Sequence, residues 1–311
     1  MKKLYPLKFT PILKEKIWGN ENWLLSDMDD AVSVVENGFL ADNDLSDILE
    51  TYLGDLVGDE VFEYFNLQFP LIVKIINARE PLSVQVHPDD ETAMERYYSY
   101  GKDEYLLVTE AKKDARIYMG FKRDVTATEF YEACHNGTAA ELLNCITPRK
   151  GDVYPVKAGT VHAVGSGVTA IEVSQPSVIT FRLFDWGREN DPGKCRDIHL
   201  EEALDIIDFK AKSDSKEEID KFCIRQIPLT KTLLISPETY KSMIVFVGVD
   251  GESEIRYKDE IYTLSPMEAI LIPASLDELS IAPKENKSTV LQVTMPHFDL
   301  EEDSYIKDKL N

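Results

Sequence analysis

Cysteine is scarce in this 311-residue chain: the four present, at 134, 145, 195 and 223, are spaced 11, 50 and 28 apart and make no CxxC pair. Reduced thiols in a cytoplasmic protein are the expectation, with the four side chains serving as small buried hydrophobes. Long apolar runs are missing as well. No window approaches the ~20 residues of a membrane span. The opening MKKLYPLKFTPILKEKIWG has two lysines but neither an apolar stretch nor a small-residue cleavage site, so it does not read as a signal peptide. Positive charge is in deficit, with 34 Lys plus Arg against 56 Asp plus Glu for a net charge of −22, spread along the chain. Nucleic acid and anionic membrane surfaces are therefore not expected as partners. An anionic substrate would need a local cluster of Lys and Arg to overcome the overall field. Low-complexity segments are lacking too, and 43% hydrophobic residues with 10% aromatics describe an ordered globular chain, long enough for about two domains.

Four segments carry helical patterns. Asn43 to Val57 places Leu45, Ile48, Leu49, Leu53 and Val57 near a 3.6-residue period, with Asn43 or Asp44 as cap. Thr126 to Ile146 opens on the capping box Thr126 to Glu129 and is interrupted by Gly137, which predicts two helices. Asp89 to Tyr100 and His199 to Ile207 complete the set. Most other segments are short, β-branched and bounded by turns: LIVKIIN, LSVQVH, ARIYMGF, GVTAIEVS, VITFRLFD, SMIVFVGV, EAILIPA and TVLQVTM. Many short strands with a few helices predict a mainly β sandwich or barrel rather than an alternating βαβ sheet.

The stretch Gly151 to His162 is weakly echoed by Met267 to Glu278, each with an acidic residue, an apolar strand and a turn containing Ala and a small residue. Where the first copy ends on His162, the second has Glu278. Two β units follow, with a boundary near Asp214 to Pro228: a catalytic domain over residues 1–225 and a smaller, metal-free domain over 226–311.

Gln85 and His87 are two apart, so a strand presents both on one face while Val84 and Val86 point to the other. With Glu104 before the run YLLV and His162 after the turn Ala158-Gly159-Thr160, they compose an N/O ligand set for Zn²⁺ or another divalent metal with a position open to substrate. Spacing alone favours a solvated Glu104 and a merely polar strand face.

The stretches Lys74 to Asp89, Gly101-Lys102-x-Glu104, Gly151 to Ala163 and Glu172 to Arg182 resemble the type I phosphomannose isomerases, in order, over about two thirds of the chain from Trp18-Gly19 to His199. The likeness is to the compact bacterial branch of that cupin family. It implies two jelly-roll (double-stranded β-helix) barrels with inserted α-helices, one zinc per chain, and interconversion of mannose 6-phosphate and fructose 6-phosphate through a cis-enediol. By matching motif, Gln85, His87, Glu104 and His162 resemble the zinc ligands, Lys74 a proton-transfer lysine, Lys102 and Arg182 active-site cations, and Glu172 an acidic active-site residue. Lys157 departs from the family, which prefers proline before Ala-Gly.

Lys74 lies within FPLIVKII, where desolvation would lower its pKa toward that of a general base, making it the first choice for the proton shuttle and Glu172 the second. Arg188 reads evenly as a phosphate contact or a partner of Asp185. An isomerase of another phosphosugar, a noncatalytic sugar-sensing cupin and a cupin oxygenase are the competing readings. The sequence leaves the oligomeric state open.

Overall fold

The structure is a computed structural model and describes residues 2–212 and 218–298. Among the described residues strand accounts for 39% and helix for 18%, in several antiparallel sheets, none of which closes on itself. The chain divides into two compact units that alternate along the sequence: residues 1–12, 23–73 and 220–311 in one, 13–22 and 74–219 in the other. Of the expected linker, residues 214–217 lie outside the described residues.

The second unit carries every residue singled out for chemistry. Its five-stranded sheet runs Leu143–Ile146, Ile117–Phe121, His162–Val164, Val84–Val86, Phe181–Phe184. A second sheet is ordered Val153–Val156, Glu104–Ala111, Val168–Ser174, Ile72–Ala78, Gly19–Leu25, Ile12–Lys16. Val84 and Val86 are fully buried in a core with Phe121, Phe130, Val161 and Phe181, as their alternation requires. In the first unit, Cys223–Leu229, Ser288–Thr294, Ile244–Asp250, Ala269–Ile272, Leu7–Thr10 and Val34–Val35 form a six-stranded sheet, accompanied by a four-stranded one from Leu233–Ile235 to Glu260–Leu264.

The echo between residues 151 and 267 is structural. Gly151 and Met267 both adopt positive φ, 92° and 65°, and each leads into a strand, Val153–Val156 and Ala269–Ile272. His162 then opens a buried strand, whereas Glu278 is exposed just ahead of Leu279–Pro283.

The helical readings fare unevenly. Leu45–Tyr52 follows Asp44, Asp90–Tyr97 is capped by the Asp89 side chain, and Ala127–His135 is capped by Thr126, whose side chain accepts from Glu129 N. Beyond Gly137 the chain forms only a 3₁₀ turn, Ala139–Leu142, and then the strand Leu143–Ile146 rather than a second helix. Pairing with Ile117–Phe121 satisfies that backbone along the sheet edge and overrides a weak helical period. The helix Asp59–Phe65 has no counterpart in the sequence reading. Only Cys134 is buried; Cys145, Cys195 and Cys223 are exposed, Cys223 because it starts an edge strand whose alternate residues face outward. No helix among the described residues is long and apolar enough to cross a membrane.

Candidate active site

Strand register assembles the site. Gln85 is the cross-strand partner of His162 on one side and of Arg182 on the other, so three functional side chains sit in a row on the face opposite Val84 and Val86. From the second sheet come Glu104, the neighbouring-strand partner of Ser174, and Glu172, two residues before Ser174 and thus on the same face. Lys74 reaches in from Ile72–Ala78.

Between them lies a cavity of about 140 Å³ lined by Gln85, Glu104, Glu172, Lys74, Lys102, Arg182 and other residues. All eight residues expected from the sequence meet here, His87 and His162 through their contacts to Glu104. The cavity wall also holds Lys16, Trp18, Glu21, Thr180 and Arg196, none of which the sequence reading assigned to the site. Glu21 had a signal available: it lies three residues beyond Trp18, in the stretch Trp18-Gly19 where the family resemblance begins.

His87, Glu104 and His162 offer ligand atoms that all lie within 4.8 Å of one another. Glu104 bridges the pair, with Oε1 3.3 Å from His87 Nε2 and Oε2 3.3 Å from His162 Nε2. Each imidazole donates from Nδ1 to a backbone carbonyl, His87 to Ile179 O at 2.9 Å and His162 to Thr160 O at 3.0 Å. Those bonds fix the tautomer that leaves both Nε2 lone pairs aimed at the carboxylate. His87 Nε2 is buried and without a hydrogen bond, the situation a coordinated cation resolves. The Gln85 carboxamide lies 3.2 Å from His162 Nε2, and a turn about its terminal bond presents oxygen instead of nitrogen. Two neutral imidazoles, a carboxylate and an amide oxygen thus fit a divalent metal.

Electrostatics favour the ligating forms. Burial holds the His87 pKa down at about 4, against a smaller upward pull from Glu104. Burial pushes Glu104 up, but Lys102, His87 and His162 outweigh it and hold this carboxyl well below the usual range. Lys102 Nζ stands 2.8 Å from Glu104 Oε1.

Lys74 departs from expectation. Burial pulls its pKa down, yet Glu172, Glu21 and Glu104 together overcome that and hold the ammonium above its ordinary value. Its Nζ is 2.9 Å from Glu172 Oε1 and 3.5 Å from Glu21 Oε1. Desolvation alone predicts a lowered pKa; the charge partners, invisible in a one-dimensional apolar run, reverse it. Glu172 is raised, first by burial and then by Glu104, despite Lys74 and Lys102.

Arg182 donates from Nη1 to Asp197 O at 2.6 Å, and His199 clasps its backbone: Arg182 N donates to His199 Nδ1 at 3.1 Å and His199 N to Arg182 O at 2.7 Å. Arg188, by contrast, is spent on Asp185 Oδ1 and Pro81 O, both at 2.7 Å, and takes no part in the cavity wall. Asp185 also holds Arg196, which does line the cavity, through two hydrogen bonds at 3.0 and 2.5 Å. The turn carrying His162 closes without proline at 157: Thr160 N donates to Lys157 O at 3.0 Å, with Gly159 at φ +80°.

The His87 shift sets an acid response for the metal-free protein. Between the ordinary histidine value near 6.5 and about 4, an unfolded chain takes up a proton that the folded chain refuses, so stability falls as pH drops through that window. About 3 kcal/mol is at stake. The lowered Glu104 acts in the same direction, its contribution present above the unfolded carboxyl pKa and lost on acidification. Urea midpoints at pH 7 and pH 4.5 are expected to differ more for wild type than for His87→Gln, which lacks the titrating ring; equal differences would refute the buried neutral imidazole.

Residues 10–134 match the model of the family described as phosphomannose isomerase type I, catalytic domain. Mannose-6-phosphate isomerase ManA of Bacillus subtilis is 30% identical over an alignment covering 89% of this chain and 95% of the relative. The probable mannose-6-phosphate isomerase GmuF of the same organism is 32% identical over 65% of this chain and 68% of its own. In three dimensions, the crystal structure of the mannose 6-phosphate isomerase from Bacillus subtilis superposes with a TM-score of 0.81 at 23% identity, covering 94% of this chain and 100% of that one, a likeness of fold. With near-full-length similarity at this level, the chain belongs to the type I phosphomannose isomerase family.

Proposed function

We propose that the protein is a metal-dependent aldose–ketose isomerase that interconverts mannose 6-phosphate and fructose 6-phosphate through a cis-enediol. The observation that carries this reading is the juxtaposition of a buried His87–Glu104–His162 ligand group with a buried Lys74–Glu172 pair on one small cavity. Family membership supplies the substrate class. Gln85, His87, Glu104 and His162 would hold the metal, for which zinc is the natural occupant of an N/O set of this kind. When bound, it supplies Lewis-acid polarisation of substrate oxygens.

This chain's residues do the rest. Glu172, whose pKa is raised, is the carboxylate suited to accept the proton leaving one carbon, and Lys74, held charged at 2.9 Å, compensates the charge and returns a proton. The two form one proton-transfer unit. Lys102 holds Glu104 in its ligating orientation, keeping the carboxylate ionised. Arg182 and Arg196 line the same cavity and bring positive charge for the phosphate or the enediolate, against the net negative charge of the molecule. Trp18 and Leu82 contribute apolar wall that limits water.

Architecturally, the pairs of antiparallel sheets in each unit support a two-cupin arrangement in which metal chemistry is confined to residues before 225, while the metal-free C-terminal module of residues 226–311 is completed by the strands Leu7–Thr10 and Val34–Val35. Exposure of Glu278 at the place of His162 supports that division.

Turnover of mannose 6-phosphate in D₂O tests the route: product carrying some deuterium at C1 or C2 is expected, and complete retention of hydrogen would favour hydride transfer. Arg182→Met is expected to raise KM for the phosphosugar and lower kcat together, since the guanidinium serves both ground state and transition state. Unchanged values for both would remove Arg182 from the site.

A further inference from the structure

Behind the ligand group lies a buried polar bracket that no role in catalysis or metal ligation accounts for. Gln175, Asp90 and Asp103 are 5%, 9% and 6% exposed. The Gln175 side chain spans two segments, accepting at Oε1 from Asp103 N at 2.9 Å and donating from Nε2 to Asp90 Oδ1 at 2.9 Å. Its backbone N donates to Asp103 O at 3.2 Å, so residue 103 is held at both main-chain groups. Asp90 Oδ1 also accepts from Gly101 N at 2.9 Å, and Lys102 N donates to Pro88 O at 3.0 Å. Asp103 in turn accepts at Oδ1 from Ala158 N at 2.8 Å, in the turn that delivers His162, and Gly159 N of that turn donates to His87 O at 2.9 Å.

Every segment that carries a ligand is therefore tied to the others by hydrogen bonds away from the ligand atoms. Residues 101–103, immediately before Glu104, are gripped from two sides, and Gly101 packs so closely that a Cβ would lie 2.5 Å from Asp90 N. The main chain cannot shift without breaking several buried bonds, each costly to leave unmade.

Resting on the metal-dependent reading above, we propose that Gln175 is a positioning residue: its carboxamide, with Asp90 and Asp103, locks the 101–104 segment so that the Glu104 carboxylate meets the two imidazoles before any metal arrives. Preorganisation of this kind appears as metal affinity, because a loose carboxylate must be ordered at the moment of binding. A purely structural role would instead lower thermal stability and leave affinity unchanged in protein that is still folded.

The test measures Co²⁺ affinity and the visible Co²⁺ spectrum of chelator-stripped wild type, Gln175→Ala, Asp90→Ala and Asp90→Asn at a temperature where far-UV circular dichroism shows each folded. Gln175→Ala and Asp90→Ala are expected to bind Co²⁺ ~10- to 100-fold more weakly with an altered spectrum. Asp90→Asn keeps the Oδ1 acceptor and is expected to recover most of that loss. Should Gln175→Ala fail to fold, the comparison of Asp90→Ala with Asp90→Asn decides alone. Wild-type affinity and spectrum in the alanine variants, or equal losses in Asp90→Ala and Asp90→Asn, would overturn the proposal. Absence of Co²⁺ binding by wild type would instead overturn the metal-dependent reading on which it rests.

Discussion

His87→Ala and His162→Ala are each expected to abolish isomerase activity and metal retention while leaving a folded protein. Each imidazole is fixed by one Nδ1 hydrogen bond and presents Nε2 to the same carboxylate, so neither can substitute for the other. Losing a direct ligand should cost far more than the ~10- to 100-fold typical of residues that only support ligands. The fold has reason to survive, because the apolar face of Val84–Val86 and its core are untouched. Metal content after gel filtration, turnover and circular dichroism on the same preparation check this; stoichiometric metal with near-normal turnover in either variant would refute the assignment.

A comparably large effect is expected at the proton-transfer pair. Lys74→Met and Glu172→Gln should each lower kcat by ~10²- to 10⁴-fold, the usual contribution of a positioned acid or base, with little change in metal content. Because Nζ and Oε1 are 2.9 Å apart and act as one unit, the double variant should be scarcely slower than the worse single one. Lys74→Met also removes the nearest buried counter-charge of Glu172 and a close one of Glu21, leaving Lys102 at 3.9 Å from Glu172, so its folding must be verified alongside. A kcat within about threefold of wild type in Lys74→Met, small beside the contribution of a general acid or base, would remove Lys74 from the mechanism. Multiplicative losses in the double variant would show that the two act independently.

Local chemistry made much of this legible. The alternation of Val84, Gln85, Val86 and His87 gives the face of the strand, and the Thr126 to Glu129 spacing gives a helix cap that the side chain makes at 3.2 Å. What joined Gln85 to residues 19 and 77 positions away was the family resemblance, since strand pairing sets His162 beside it while Glu104 comes from the second sheet. The charge state of Lys74 is not legible in its own segment because its partners come from elsewhere in the sequence: Glu172 and Glu21 lie on the two strands that flank Ile72–Ala78 in the sheet. Likewise, the strand at Leu143–Ile146 owes its existence to the open edge beside Ile117–Phe121, a tertiary fact with no local signature. The alternation of the two units along the chain has the same origin, since sheet partners such as Leu7 and Leu271 lie far apart in sequence.

The most direct measurement is a coupled assay of mannose 6-phosphate isomerisation on protein stripped by a chelator and then titrated with Zn²⁺, metal content being read on the same samples. Activity should be absent without metal and rise in proportion to bound zinc, saturating at one ion per chain. Full turnover by the stripped protein, or no turnover at one bound ion per chain, would contradict the account.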